Sequence, residues 1–242
     1  MHTIRYCAVG SVLLVAAVLS AWRVTVVATA STTIFSNSFD RQRTGALLTG
    51  PGANQFSGTR GSSRLSVENT TVSSPPNALA VTLAGGGSAF AYKQYRSGDT
   101  TYILRMRLQL GATFTVPHDD YLVLAQTVAS TSSSVGKVDV TIPADNRIRL
   151  DYVDSAGHQH FLRGHFVVPR RSWHTVELRE TVGARRGSLT LLVDRHTAAS
   201  GSKLDLGTRG LTWFAVGEEY APPGRGYAGH LYIDDVAATA TT

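Results

Sequence analysis

The feature that most restricts the fold of this chain is a period-two alternation of apolar and polar residues. In the segment 101–110, apolar residues at every second position alternate with Arg105, Arg107 and Gln109. Neighbouring side chains of a β-strand point to opposite faces, so such a strand buries one face and leaves the other in water. The segments 137–143 and 147–153 alternate in the same way. This pattern is typical of antiparallel sheets.

Strand patterns of this kind follow one another at intervals of roughly ten residues, separated by turn residues such as "AGGGS", "PADN" and "APPGRG". No segment has the 3.6-residue periodicity of a long amphipathic helix. A long series of antiparallel strands needs two sheets to bury its apolar faces. The sequence therefore predicts an all-β fold, a two-sheet antiparallel β-sandwich of the jelly-roll type.

Residues 1–30 are predicted to be a signal peptide outside the fold. An early positive charge, Arg5, precedes a long apolar run, and the small residues Ala28 and Ala30 suit signal peptidase. The alternative is an uncleaved membrane anchor, but Arg23 ends the apolar run after about 16 residues, and a spanning helix needs about 20. We therefore expect a protein secreted in the bacterial manner, with 31–242 as a single domain and no membrane contact after cleavage.

Charge and cysteine content exclude two classes of protein. The whole chain has a net charge of +6, and loss of Arg5 and Arg23 would leave 21 basic against 17 acidic residues with no basic block. Such a mild excess does not indicate a nucleic-acid partner. The single cysteine, Cys7, lies in the predicted leader, so the mature protein is not a disulfide scaffold.

The order of several motifs resembles the concanavalin A-like lectin/glucanase superfamily, whose laminin-G-like jelly rolls occur in secreted bacterial proteins. The motifs are "SNSFD", "NALAVTLAGGGSAFAYK", "RRSWHTVELRE", "GSLTLLVD" and the closing "GHLYIDDV". The resemblance implies a concanavalin A-like fold that binds carbohydrate and in some members cleaves it. Members usually carry Asp-Gly after the "LLV" strand, where this chain has Asp194-Arg195. Because a tight primed turn favours glycine, we expect a longer loop there.

The adjacent pair Asp234-Asp235 lies inside the last predicted strand, where alternation directs one carboxylate toward the buried face. In the superfamily that this chain resembles, the first and last strands lie close together, which would bring Asp40 near this pair. Carboxylates clustered with carbonyl oxygens suit Ca²⁺. The resemblance thus implies a structural calcium held by Asp40, Asp234 and Asp235. The alternative is that one aspartate faces solvent and the other caps a loop or pairs with an arginine.

The polar faces of the predicted strands supply candidate ligand-binding residues. Arginine, glutamine and aspartate side chains recognise sugar hydroxyls and carboxylates, and tyrosine can stack on a sugar ring. The candidates are Arg105, Arg107, Gln126, Arg149, Asp151 and Tyr220. With these arginines in one groove, acidic polysaccharides should bind better than neutral ones.

No catalytic residue is predicted. The Glu-x-Asp-x-x-Glu strand of laminarinase-like enzymes is absent, and so is a Gly-x-Ser-x-Gly elbow. "VELRE" resembles the arginine-bearing strand of some alginate lyases, but the accompanying Tyr-x-Lys strand is missing. The sequence therefore predicts a secreted, non-catalytic carbohydrate-binding protein whose partner is a poly- or oligosaccharide. The alternatives are a polysaccharide hydrolase or lyase of this fold and an extracellular protein-interaction module. An acidic pair facing a groove would favour the enzyme.

Overall fold

The computed structural model describes residues 31–94, 99–128 and 136–241. These segments contain one short 3-10 helix, Ser62–Arg64, and fifteen β-strands. The strands are β1 (Ser31–Asn37), β2 (Gly58–Arg60), β3 (Leu65–Glu68), β4 (Ala78–Ala84), β5 (Gly87–Gln94), β6 (Thr101–Leu110), β7 (Tyr121–Val128), β8 (Lys137–Pro143), β9 (Arg147–Val153), β10 (Gln159–Val167), β11 (Trp173–Thr181), β12 (Gly187–Val193), β13 (His196–Leu204), β14 (Trp213–Ala221) and β15 (Ala228–Thr241). The predicted signal peptide, 1–30, lies outside the described residues.

The strands form two antiparallel sheets packed face to face, so the predicted all-β sandwich is confirmed. The first sheet has the order β13-β12-β11-β6-β15-β4-β3, and β1 pairs with β15. The second has the order β10-β9-β8-β7-β14-β5-β2. The segments whose sequences alternate clearly form strands at the predicted positions. The short strands β2 and β3 and the polar strand β13 carry too little apolar pattern to be predicted.

An aromatic cluster joins the two sheets at the start of the chain. Phe35 on β1 lies 4.9 Å from Phe56 and 5.2 Å from Phe214 on β14, measured between ring centroids. All three rings are fully buried. Tilted and edge-on aromatic pairs at this spacing are favourable beyond the area they bury. The cluster fixes β1 of the first sheet against β14 of the second without a disulfide.

The β12–β13 hairpin corrects the expectation of a longer loop. Val193 pairs directly with His196, which leaves a two-residue turn of Asp194 and Arg195. Both turn residues have positive φ, +50° and +70°, as a type I′ turn requires. The Asp194 carboxylate holds the turn in place, because it accepts a hydrogen bond from the Thr175 amide at 2.8 Å and contacts His174 Nδ1 at 2.6 Å. These side-chain contacts allow a tight turn without glycine.

A carboxyl group lies inside the core between the sheets. Glu180 on β11 is 1% exposed, and its Oε2 accepts a hydrogen bond from Thr127 Oγ1 on β7 at 2.7 Å. Its Oε1 has no partner among the described residues. Burial raises the pKa of Glu180 to about 7, against which the Thr127 hydrogen bond acts only weakly.

Stability should therefore decrease as pH rises through neutrality. The folded pKa of Glu180 lies above its unfolded value, so the cost of the buried charge is present above about pH 7 and disappears as pH falls toward 4.5. Between pH 5 and pH 8.5 the free energy of unfolding of the wild type should fall by roughly 3 kcal/mol because Glu180 ionises. In Glu180→Gln this fall should be absent. Urea unfolding of wild type and variant at both pH values measures this. An identical pH dependence in the two proteins would contradict it.

Candidate functional site

The register of the second sheet places one residue from each of seven strands in a single row. Directly paired positions share a face of the sheet. The row, called here the central row, consists of Gly58, Tyr92, Ala215, Gln126, Asp139, Asp151 and Phe161. The alternate positions of the same strands, such as Val140, Leu150 and Phe214, are fully or almost fully buried in the core. The central row therefore lies on the face away from the core, called here the polar face.

Three polar members of the central row are buried although they face away from the core. Gln126 is 3% exposed, Asp139 is 6% exposed and Asp151 is 1% exposed. Burying a polar group without a hydrogen bond is unfavourable, so a plain solvated sheet face would leave these groups in water. The polar face therefore carries an organised cluster of polar groups.

Asp139 is the centre of one half of this cluster. Gln126 Nε2 donates a hydrogen bond to Asp139 Oδ1 at 2.7 Å, and Lys137 Nζ lies 3.1 Å from Asp139 Oδ2. Burial raises the pKa of Asp139, and the charge of Lys137 acts in the opposite direction. Burial would lower the pKa of Lys137, but the charge and hydrogen bond of Asp139 outweigh it, so the pKa of Lys137 is raised. Each group thus favours the charged form of the other, and for Asp139 this acts against the larger effect of burial.

Arg149 is fixed in the other half of the cluster. Its Nε lies 3.2 Å from Asp151 Oδ1 and also donates a hydrogen bond to Thr141 Oγ1 at 3.2 Å. Its guanidinium carbon lies 5.4 Å from the Tyr121 ring centre and 5.7 Å from that of Phe161. A guanidinium group placed over aromatic faces is stabilised by the ring quadrupole. Burial raises the pKa of Asp151, and Arg149 opposes this rise.

A third carboxyl group, Glu219, belongs to the same surroundings. Burial raises its pKa, and the positive charge of Lys137 opposes the rise while the negative charge of Asp139 adds to it. Glu219 follows Glu218, whose carboxylate forms a buried ion pair with Arg64. Lys137 therefore lies within the electrostatic influence of two carboxylates of the polar face.

Aromatic rings and small residues shape the part of the polar face nearest β5. The rings of Tyr92 and Trp213 approach edge to face, with centroids 6.4 Å apart. Beside them the central row carries only Ala215 and Gly58. A Cβ atom at Gly58 would lie 2.5 Å from Tyr92 Oη, so glycine is required for the Tyr92 ring to lie there. The face thus combines charged groups near β8 and β9 with half-buried aromatic rings near β5.

The structure divides the predicted ligand-binding residues between the two sheets. Gln126, Arg149 and Asp151 come together on the polar face. Tyr220, 44% exposed, lies near the end of β14 in the same sheet. Arg105 and Arg107 are on β6 of the first sheet, where their side chains face away from the core. The sequence-derived candidates therefore do not form one groove.

Several residues of the polar face were missed as site residues. They are Tyr121, Lys137, Asp139 and Glu219. The alternation of "KVDVTIP" already places Asp139 opposite a buried apolar set, which is the signal that marks it as a face residue. Its pairing with Gln126 and Asp151 depends on strand neighbours that the sequence does not reveal.

The acidic pair of the last strand has a different environment from the one that alternation predicts. Ile233 and Val236 are both fully buried, and the register of β15 against β6 shifts between Asp234 and Ala237. This β-bulge places Asp235 at φ +49°, exposed, while Asp234 shares the face of Arg107. The added residue breaks the alternation, so neither carboxylate enters the core.

Asp234 is fully buried and holds the segment before β4. Its Oδ2 accepts hydrogen bonds from the Ser73 amide at 3.2 Å and from the Ser74 amide at 2.9 Å, and Ser74 Oγ lies 3.2 Å away. Its Oδ1 accepts the Asp235 amide at 2.8 Å. Burial raises the pKa of Asp234, and the hydrogen bond from Ser74 opposes this. The carboxylate thus has partners for both oxygens.

Asp40, the third predicted calcium ligand, lies in the turn after β1. Its Oδ2 accepts a hydrogen bond from Ser38 Oγ at 2.8 Å, and its Oδ1 is buried without a partner among the described residues. Within 31–94, 99–128 and 136–241, no group of three or more His, Cys, Asp or Glu side chains is arranged to hold a metal ion. Calcium binding by Asp40, Asp234 and Asp235 stays a prediction.

Comparison with known proteins identifies the fold. No protein-family model and no curated protein matches the sequence. Among solved structures, the chain is similar to an alginate lyase, vAL-1, from Chlorella virus, with a TM-score of 0.53, 8% identity and coverage of 77% of this chain and 100% of that one. It is also similar to an endo-1,3-β-glucanase from Streptomyces sioyaensis, with a TM-score of 0.51, 12% identity and coverage of 86% and 96%.

A third similar structure is the receptor-binding domain of botulinum neurotoxin D, with a TM-score of 0.54, 14% identity and coverage of 86% of this chain. The chain spans about half, 49%, of that domain's length. The fold is therefore a concanavalin A-like jelly roll, as the resemblance implied. Enzymes and a binding domain share it, so the fold alone does not choose between these functions. Within the described part of the chain, no helix has the length and apolar character needed to cross a membrane.

The role of Asp234 can be tested against that of its neighbour. We expect Asp234→Asn to lower stability by about 2 kcal/mol, because its amide group would face the backbone N–H donors of Ser73 and Ser74. For a domain of this size, that is a fall of roughly 4–8 °C in melting temperature. The matched control Asp235→Asn should have little effect, because residue 235 is exposed and asparagine tolerates positive φ.

Thermal melts of both variants, with EGTA and with excess Ca²⁺, measure these changes in melting temperature and their dependence on calcium. Equal melting temperatures for the two variants would contradict the hydrogen-bonding role of Asp234. A calcium-dependent rise in wild type that is absent in Asp40→Asn would establish the predicted metal site.

Proposed function

We propose that this chain binds a carbohydrate, without cleaving it, on the polar face of the second sheet. The observation that carries the proposal is the burial of Gln126, Asp139 and Asp151 on the side of the sheet away from the core. Polar groups buried this way fix their more exposed partners Lys137 and Arg149, and fixed polar groups are what orients a ligand in a binding site. The similarity in fold to an alginate lyase and to an endo-1,3-β-glucanase adds support for a polysaccharide ligand.

The pairing of charges supports binding over catalysis. Asp139 is held by Lys137 and Gln126, and Asp151 is held by Arg149. A general acid must be free to give up a proton to the leaving group. Carboxylates buried beneath such cations instead hold the partly exposed Lys137 and Arg149 in place as donors for sugar hydroxyls.

The charge of the polar face favours a neutral glycan. Three carboxyl groups, on Asp139, Asp151 and Glu219, lie among three cations, on Lys137, Arg149 and Arg60. Because these charges balance, a chain of uronate or sulfate groups gains no net attraction there. The exposed ring of Phe161 and the half-buried ring of Trp213 offer apolar surfaces for the faces of sugar rings. The preference for acidic polymers expected from the sequence depended on Arg105, Arg107 and Arg149 lining one groove, and Arg105 and Arg107 lie on the other sheet.

A second candidate is a retaining glycoside hydrolase. Asp139 and Asp151 are directly opposed on β8 and β9, which places their Cβ atoms about 5 Å apart. Carboxyl groups of retaining glycosidases are separated by about 5–5.5 Å. Burial also raises the pKa of both groups, as a general acid requires. The ion pairs with Lys137 and Arg149 are the reason we rank this candidate second.

Export from the cell is part of the same proposal. It is supported by the leader pattern of residues 1–30 and by the polysaccharide-acting neighbours in structure. A polysaccharide ligand would be met outside the cell. N-terminal sequencing of exported protein, with Ser31 as the expected first residue, tests it.

The binding proposal is tested by truncating an exposed ring. We expect Phe161→Ala, whose ring is 63% exposed beside Arg149, to weaken binding of a soluble neutral glycan about fivefold, the equivalent of about 1 kcal/mol. Val167→Ala is the matched control, because Val167 is an exposed apolar residue, 45%, on the same strand. Titration calorimetry with laminarin, xylan and galactomannan measures the affinities.

The same samples distinguish the two candidates. A binding protein should leave each polymer intact, with no new reducing ends after prolonged incubation. Release of reducing ends that stops in Asp139→Asn would favour the hydrolase. Equal affinities of wild type, Phe161→Ala and Val167→Ala for every polymer would contradict a site on the polar face.

A further inference from the structure

A cavity lies on the outer face of the first sheet, away from the core and from the polar face. It has a volume of about 470 Å³ and is formed by β6, β11 and the β12–β13 hairpin. Four of its lining residues are arginines, Arg105, Arg107, Arg179 and Arg195. This cavity is called here the arginine pocket. Thr175, Glu177, Leu192 and Asp194 complete its lining.

The two carboxylates of the pocket already have partners. Glu177 Oε1 accepts a hydrogen bond from Arg179 Nε at 2.6 Å. Asp194 contacts His174 Nδ1 and accepts the Thr175 amide. Burial would raise the pKa of Asp194, but these contacts outweigh it and lower the pKa, so the carboxylate stays charged in the turn.

The remaining guanidinium groups are not closely paired in the described part of the chain, although the charge of Arg107 helps to lower the pKa of Asp194. Arg105, Arg107 and Arg195 form no ion pair with a carboxylate of the described residues. Arg107 Nε is buried and has no hydrogen-bond partner there. Arg105 and Arg107 are two residues apart on one strand face, a spacing of about 7 Å. Like charges held side by side repel, and an anion between them removes the repulsion.

The backbone of the hairpin places Arg195 in a conformation that arginine disfavours. Residue 195 has φ +70° in a two-residue turn, a position at which glycine is usual. Strain of this kind persists where surrounding contacts impose it, and it is concentrated at functional sites. Here the Asp194 contacts fix the turn, so the Arg195 backbone is held at the rim of the pocket.

We propose that the arginine pocket binds an oxyanionic group of an acidic polysaccharide, a sulfate ester or a uronate carboxylate. The planar fork of a guanidinium group matches both oxyanions with two parallel hydrogen bonds. Arginines spread over two strands and a turn suit a ligand that carries several charges, as a polymer does. Because the pocket lies on the first sheet, this inference does not depend on the function proposed for the polar face.

The test uses matched polymers, dextran sulfate and dextran, with polygalacturonate as the carboxylate arm. We expect wild-type protein to bind dextran sulfate or polygalacturonate at 50 mM salt, and to bind more weakly at 300 mM salt. The pair Arg105→Gln and Arg195→Gly, combined in one variant, should lower that affinity at least tenfold. Its melting temperature should not fall, because glycine suits the turn at residue 195. The relative strength of the two arms identifies the oxyanion.

Two controls separate the pocket from charge in general and from the polar face. The double variant Arg185→Gln and Arg186→Gln removes the same two charges from the exposed turn between β11 and β12 and should change the affinity less than twofold. Phe161→Ala, on the polar face, should leave dextran sulfate binding unchanged. An equal loss in the Arg185/Arg186 double variant and in the pocket variant would overturn the proposal, because binding would then follow net charge. Absence of binding to both acidic polymers at 50 mM salt would also overturn it.

Discussion

The register of seven antiparallel strands is the constraint on which the candidate site depends. Only this register brings Gln126, Asp139 and Asp151 side by side on one face. A slip of one residue in β8 would turn Asp139 toward the core and Val138 and Val140 toward the ligand side. The apolar set of each strand therefore secures the register through the core, and the polar groups take their positions as a consequence. The same strand pairing therefore determines both the core and the candidate site.

The bulge of β15 changes which side chains of that strand face the core. A regular strand would direct either Asp234 or Asp235 inward, at a high cost for the buried charge. One added residue at positive φ returns Val236 to the core and leaves Asp235 exposed. Asp234 then meets the Ser73 and Ser74 amides, which satisfy its carboxylate. The outer face of a sheet is therefore not always exposed to solvent, because a loop that crosses it can bury a polar side chain.

The sequence predicts individual strands better than their partners. Alternation shows that Arg107, Arg149 and Asp151 all point away from a core, since that depends only on neighbours in sequence. Whether β6 and β9 belong to one sheet is decided by pairings between distant segments, and these leave no local pattern. For this reason the arginines were placed in one groove, whereas Arg107 and Arg149 lie on different sheets. The Asp194-Arg195 turn was missed because it depends on His174, which lies far from it in sequence.

The two outer faces of the sandwich consequently differ in chemistry. The polar face has paired charges and aromatic rings, while the first sheet carries arginines in excess of their carboxylate partners.

The central claim is that a carbohydrate binds on the polar face. The most direct measurement of it is the amide and side-chain NMR spectrum of the protein titrated with a neutral oligosaccharide. Shift changes centred on the Gln126 side-chain amide and on β7, β8, β9 and β14 are predicted. Changes centred on β6, β11 and β12, or scattered over both sheets, would contradict the account.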